Sequence, residues 1–280
     1  MASASTPTLR GRRLALELRK LRDDAGLTQA EAARRVGWSK SKISRIEEPA
    51  TRPDDDAVRA LLQLYGADPA RHPAIVQLNH DSWQRGWWTA YGDAFTGNFL
   101  MLEDQAPQIC GYETMLIPGI LQTPDYARTV IRELRNVDDT DLDRLVAARM
   151  ARKAILTRST PTNVHYVINE AALRQVVGDE DLMRKQISEL WAAAVERTNV
   201  TIQVLPFAAA RPCGLVGAFI LFVFPDDPGL DVGHSEGHLG ETYAESAQEV
   251  AGIRVAFEDV SQAALSPAES VEWLAARSRE

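Results

Sequence analysis

Between Gly26 and Pro49 the chain is cut into two short helical pieces, each carrying its own start and stop signals. Thr28 followed by Glu31 makes a capping box: the threonine hydroxyl takes one orphan amide while the glutamate reaches back to the cap. Gly37 supplies the stop, so a helix is predicted over residues 29–36. Ser39 caps a second piece that runs to about Glu48, ahead of Pro49. Helices this short do not persist alone in water and need a shared core. The flanking segments offer one. Leu14, Leu18, Leu21 and Ala25 fall at helical spacing before Gly26, and Val58, Leu61, Leu62 and Tyr65 follow a cap at Asp54. Short helices joined by a tight turn inside such a frame form a helix-turn-helix pattern.

Ile43 and Ile46 are the large apolar residues of the third helix and define its buried face. At about 100° per residue, Ser41, Ser44, Arg45 and Glu48 then point outward, flanked by Lys40 and Lys42. That surface suits a major groove. Arginine can bond guanine bidentately, serine can donate or accept at either base, and lysine serves bases or phosphates. Gln29, in the first turn of the second helix, is placed to hold a phosphate. A solvated amphipathic helix could show a similar outer face, but the caps, glycine turn and isoleucine pair together are more specific. The candidate DNA-contacting set is Thr28, Gln29, Ser39, Lys40, Ser41, Lys42, Ser44 and Arg45.

The charge distribution agrees with a local nucleic-acid contact. Residues 1–65 hold 13 Lys and Arg against 9 Asp and Glu, whereas the remainder holds 18 against 30. A small basic module on an acidic body is the pattern expected when one end meets phosphate. The run from Leu27 to Gly37, with Trp38-Ser-Lys-Ser-Lys-Ile-Ser-Arg-Ile-Glu47, resembles the Xre/Cro-type repressor family. The resemblance implies double-stranded DNA as partner, with Lys40, Ser41 and Arg45 reading bases and the Gln29 position gripping the backbone. A homodimer spanning two half-sites is expected, because one short helix reads too few bases alone.

Three regions are predicted: residues 1–70 as the helix-turn-helix domain, 71–97 as an aromatic-rich connection, and 98–280 as a sensing or partner-binding domain. Trp83, Trp87, Trp88 and Tyr91 are four of the chain's twelve Trp and Tyr residues. They can pack as a plug, or serve as an anchor; Trp87, Trp88 and Tyr91 are the candidate partner-binding residues. Beyond them, helices are predicted at 99–106, 125–135, 139–157, 181–198, 247–265 and 267–277. In the 181–198 helix, Ile187, Leu190, Trp191, Ala194 and Val195 are expected inward. Strands are predicted at 164–169, 200–206 and 218–224, and near 230–235 and 238–243, while 112–119 reads as a turn-bounded apolar segment. The wholly apolar run from Ala218 to Phe224 requires cover on both faces. The fold class is therefore α+β: an all-α helix-turn-helix domain, then a mixed α/β domain with a mostly antiparallel sheet covered by helices.

Tyr112-Glu113, the run from Ile117 to Arg128, Ile168–Leu173, Ile202–Pro206 and Gly217-Ala-Phe219 are similar to motifs of an actinobacterial regulator family with WhiJ-like members. That resemblance implies control by a small acidic BldB-like protein in an antitoxin-like arrangement. Where the family has an aromatic-Val-Glu strand, this chain has Val232-Gly233-His234.

No phosphate-binding loop, dinucleotide fingerprint or nucleophile elbow is present, so an enzyme is not expected and no cofactor is implied. His234, Glu236 and His238 would share one face of a strand, a metal-like spacing, but the glycines around them favour a turn that scatters them. No metal is expected. The longest apolar run is far below the ~20 residues of a membrane span, and the N-terminus lacks a secretory signal's hydrophobic region. With two cysteines at no metal-ligand spacing, a cytoplasmic location follows. Two rival readings remain: a regulator gated by a small metabolite, and a protein-interaction module that binds DNA only weakly.

Overall fold

The computed structural model describes residues 9–49, 51–81, 98–135, 137–209, 217–237 and 240–280. The chain divides into two compact units, Met1–Thr89 and Ala90–Glu280.

Among its described residues the first unit has five α-helices: α1 (Leu9–Asp24), α2 (Gln29–Val36), α3 (Lys40–Ile46), α4 (Asp55–Leu64) and α5 (His72–Asp81). Every cap predicted from the sequence is in place. Thr28 and Glu31 close a reciprocal capping box, Ser39 accepts from the Lys42 amide, and Asp54 accepts from the Ala57 amide. Gly26, Gly37 and Gly66 follow α1, α2 and α4 with φ near 70°, a left-handed turn that costs glycine nothing. One core joins the helices. Leu14, Leu18, Ile43, Val58, Leu61 and Leu62 are buried in it, with Ile75 and Val76 closing it from α5.

Among its described residues the second unit has seven α-helices and six strands. In chain order these are α6 (Phe99–Gln105), β1 (Gln108–Glu113), α7 (Pro124–Leu134), α8 (Asp139–Ala151), β2 (Asn163–Asn169), α9 (Glu170–Arg174), α10 (Glu180–Glu196), β3 (Val200–Leu205), β4 (Phe219–Val223), β5 (Val232–Gly237), β6 (Gly240–Ala244), α11 (Ala247–Ala263) and α12 (Pro267–Arg277). The strands form one mixed sheet in the order β3-β2-β1-β4-β5-β6. The β1–β2 and β2–β3 pairs are parallel; β1–β4, β4–β5 and β5–β6 are antiparallel. The parallel pairs follow from their connections. α7–α8 and α9–α10 return the chain to the starting edge, whereas β5 and β6 are close in sequence and pair antiparallel, Gly237 opposite Gly240.

α11 covers one face of the sheet. Its Val250, Phe257 and Val260 pack with Cys110, Tyr112, Val167, Leu205, Leu221 and Val223. The outer edge of β3 is sealed by the turn into α12: the Leu265 amide donates to the Val204 carbonyl, and the Val204 amide donates to Ser270 Oγ.

Two expectations need correction. The segment read as apolar and turn-bounded contains the end of β1, the central strand, which starts at Gln108. Its sequence, Gln-Ile-Cys-Gly-Tyr-Glu, has a glycine where strand propensity is weakest. The packing gives the reason: a Cβ at Gly111 would lie 2.3 Å from Cε1 of Tyr166, whose ring crosses the strand there. In α10 the buried stripe is Met183, Gln186, Ile187, Leu190 and Ala193. Trp191 and Val195, expected inward, are 38% and 53% exposed. The interior takes Gln186 instead because both ends of its amide are partnered there, Oε1 accepting from the Thr123 amide at 2.7 Å and Nε2 donating to the Leu121 carbonyl at 2.9 Å.

Candidate functional site

In the first unit the candidate surface is α3, seven residues long, standing on Ile43 (0% exposed) and Ile46 (5%). The residue after this pair decides the helix's pose. Glu47 lies one turn beyond Ile43, on the same buried face, and is itself fully buried. Its carboxylate takes the Arg22 guanidinium side-on, Nε to Oε1 at 2.7 Å and Nη2 to Oε2 at 3.1 Å. Arg22 also donates to the Leu27 carbonyl at 2.8 Å, and Arg19 donates to the Glu47 carbonyl at 2.8 Å. One ion pair thus ties α1, the turn into α2 and the end of α3. Hydrogen bonding to Glu47 raises the Arg22 pKa further, so the guanidinium stays charged.

With the inner face fixed, Lys40, Ser41 and Arg45 are exposed and Ser44 is half-buried. Lys42 lays its ammonium over the Trp38 ring, 3.8 Å from the centroid. Ser39 and Ser41 share a hydrogen bond of 3.0 Å. Thr28 and Ser39 are committed to their caps: Thr28 Oγ1 accepts from the Glu31 amide and donates to the Glu31 carboxylate. Gln29, expected to face a phosphate, points Nε2 inward to Glu47 Oε2 at 2.9 Å. The Arg22–Glu47 pair and the inward bond of Gln29 were not anticipated. Spacing puts Glu47 on the core stripe, four residues after Ile43, but nothing local names its partner 25 residues away.

In the second unit a cluster of charges lies on the sheet face opposite α11. Glu103 of α6 grips Arg152 side-on, Nε to Oε2 at 2.6 Å and Nη2 to Oε1 at 2.7 Å, with both side chains buried. Phe99 caps this pair: the Arg152 guanidinium carbon lies 5.2 Å from its ring centroid. The same ring meets Phe222 edge-on at 5.5 Å and His234 at 4.8 Å. Glu113, at the end of β1, is half-buried and makes no hydrogen bond or ion pair among the described residues; burial pushes its carboxyl up to about 8. Arg149 bonds Gln122 Oε1 through Nη1 at 3.0 Å, but its enclosed Nε has no partner. Burial and the neighbouring Arg152 push its pKa down to about 9.

Residues 13–75 match the model of a helix-turn-helix domain. Residues 96–276, more than half of the chain, match that of a domain of unknown function, DUF5753. The chain belongs to the DUF5753 family. No curated protein matches it, and no solved structure does. This DUF5753 chain therefore carries, at its N-terminus, a module of the class that inserts a recognition helix into the major groove.

Trp87, Trp88 and Tyr91, singled out for partner binding, lie outside the described residues, as does His238. Among the described residues no group of three His, Cys, Asp or Glu is arranged to hold a metal ion, and no helix is long and apolar enough to cross a membrane. His234 is buried between Phe99 and Tyr243, its Nε2 unpartnered, and burial pushes its pKa down to about 4.

Two of the DUF5753 domain's shifted groups, Glu113 and His234, bear on stability near neutral pH. Glu113 holds its proton in the folded state up to about 8, against an ordinary 4.5, so stability falls as pH rises across that interval. His234 stays neutral in the folded state down to about 4, against 6.5, so its contribution is lost as pH falls from 6.5 to 4. Of these two, His234 opposes Glu113 below pH 6.5, in the same sense as His165, which burial also lowers, and only Glu113 acts from there to about 8. Glu113→Gln is expected to flatten the loss of stability between pH 6.5 and 8, measured by denaturant unfolding at each pH. An unchanged slope would remove Glu113 as its source.

Proposed function

We propose that this protein is a sequence-specific, non-catalytic transcriptional regulator whose helix α3 enters the major groove of double-stranded DNA. The supporting observation is the pose of α3: Ile43, Ile46 and Glu47 are buried, while Lys40, Ser41 and Arg45 of the same helix are exposed. Lys40, Ser41 and Arg45 are assigned to base edges, with Ser44 and Lys42 at the rim of the contact. Gln29 keeps one amide hydrogen for a backbone phosphate while the other bonds Glu47. Thr28 and Ser39 act by holding the two helix starts in register.

A homodimer reading half-sites about 34 Å apart fits a recognition helix of this length. Residues 1–70 form the DNA-binding part, 71–97 the connection, and 98–280 the part that receives a signal. By resemblance to the actinobacterial WhiJ-like regulators, that signal is a small acidic BldB-like protein, with Trp87, Trp88 and Tyr91 as its anchor, in a cytoplasmic, antitoxin-like arrangement. Co-purification of the full chain with such a protein, and loss of the complex in the Trp88→Ala variant, tests this part.

Arg45→Ala is expected to cost about 1–3 kcal/mol at one base pair of the operator and to relax specificity there. Competition binding against operators mutated position by position reads this effect. A uniform loss across all sequences would place Arg45 on the phosphates. Binding that does not weaken with rising salt would count against the regulator reading as a whole.

A further inference from the structure

Among the described residues no ion pair joins Lys40, Lys42 or Arg45 of α3 to a carboxylate, whereas Arg22 and Arg71 of the same unit hold Glu47 and Glu17. Lys42 is held instead by a ring. Its ammonium reaches back from the first turn of α3 and lies 3.8 Å from the Trp38 ring centroid. Both ends of that contact are fixed by the fold. The Trp38 amide donates to the Ala33 carbonyl at 2.8 Å, closing α2, and the half-buried indole packs against the core of the unit. Between the two residues Ser39 caps α3, its Oγ accepting from the Lys42 amide at 3.2 Å.

A ring is a different partner from an acid. A carboxylate would cancel the lysine's charge and compete with any other anion. The aromatic face attracts the ammonium through its quadrupole and leaves that charge whole. An ammonium has three donors, and the ring covers one side of it, so an oxygen can be bonded from the other. The place on the helix matters as well. At about 100° per residue Lys42 stands on the flank of α3, a quarter turn from Ile43, while Ser41 and Arg45 point outward. When the outer face meets the floor of a groove, a cation on the flank meets its wall, and the wall is phosphate. A lysine free in solvent loses rotamer freedom when such a contact forms; one already seated on a ring has lost much of it beforehand.

We infer that Lys42 takes a phosphate of the DNA backbone and that Trp38 is the positioning residue that presents it, without itself touching DNA. This rests on the reading of α3 as a major-groove helix. It adds a contact that carries no sequence information, so it contributes to the affinity for any duplex rather than to the choice of operator.

The test is a double-mutant cycle on the full-length protein, read by fluorescence anisotropy with a labelled mixed-sequence duplex of about 30 base pairs across a salt series. Lys42→Ala is expected to lower the slope of log K against log salt by about 0.9, the signature of one phosphate. Trp38→Leu should weaken binding about three- to tenfold while Lys42 is present, and should cost nothing further in the Lys42→Ala background. Trp38→Phe, which keeps a ring, should recover most of the loss. A loss from Trp38→Leu that is equal in both backgrounds would make Trp38 a packing residue only. Tighter binding by Trp38→Leu would mean that the ring withholds the lysine. Either result overturns the inference, as does an unchanged salt slope in Lys42→Ala, a variant that leaves the indole and its packing in place should Trp38→Leu fail to fold. Salt-sensitive binding without coupling between the two residues sinks this inference alone; wild-type binding that ignores salt sinks the regulator reading and this inference with it.

Discussion

Glu47→Ala is expected to destabilise the helix-turn-helix domain by about 3–5 kcal/mol, the usual cost of stranding one member of a buried ion pair. The substitution removes the two carboxylate oxygens that Arg22 holds through Nε and Nη2, leaves a guanidinium with 9% side-chain exposure only the Leu27 carbonyl and the exposed Asp23 on Nη1, and frees Gln29 Nε2. Small domains are stable by about 5–15 kcal/mol, so a loss of this size populates unfolded domain at ordinary temperature. DNA binding should fail for every sequence alike, unlike the base-specific loss at Arg45. Far-UV circular dichroism of the variant, followed through urea unfolding, gives the number. A cost under about 1 kcal/mol would mean that Arg22 finds water on losing Glu47, and that the pair does not set the pose of α3. The double variant Arg22→Met with Glu47→Leu should recover most of the stability, because an apolar pair of similar volume carries no desolvation cost.

Glu103→Ala is expected to produce a loss of the same order, about 3–5 kcal/mol, in the other unit. Arg152 then keeps its burial, at 7% side-chain exposure, without the bidentate partner that offsets it. Two features sharpen the expectation. A Cβ on Gly119 would lie 2.9 Å from the Arg152 guanidinium nitrogens, so the head has little room to swing outward. Phe99, which caps the pair, also carries the contacts to Phe222 and His234, so its displacement spreads into the sheet. Thermal unfolding of the variant should show the second unit melting first while operator binding by the helix-turn-helix domain persists. Loss of the two together would show instead that the units unfold as one. Arg152→Met in the Glu103→Ala background should restore stability, as charge removal at the second site relieves the first.

The helix-turn-helix was legible because short-range rules govern it. Thr28, Glu31, Gly37, Ser39 and Asp54 each announce a helix end through contacts within three residues, and all five end helices in the structure. Ile43 and Ile46 gave the correct inner face of α3. Hidden from such rules were the long-range partners. Arg22 and Glu47 are 25 residues apart and Glu103 and Arg152 are 49 apart. No local pattern distinguishes a buried ion pair from two solvated charges. The central strand was missed for a related reason, since Gly111 answers to Tyr166 on the next strand rather than to its own neighbours. In α10 the spacing puts Ile187, Leu190, Trp191, Ala194 and Val195 inward; Ile187 and Leu190 are buried, but the rest of the stripe is Met183, Gln186 and Ala193. Only the backbone groups of Leu121 and Thr123 show why a glutamine belongs inside.

The sealing of β3 has a consequence for how the chain is made. The groups that close that strand's free side, the Leu265 amide and the Ser270 hydroxyl, come late after the strand itself, Ser270 being 66 residues beyond Val204. Until then a growing polypeptide carries a row of open peptide groups, the template on which foreign strands add. A chain cut short before residue 265 therefore keeps that row open, and is expected to be sticky rather than merely shorter.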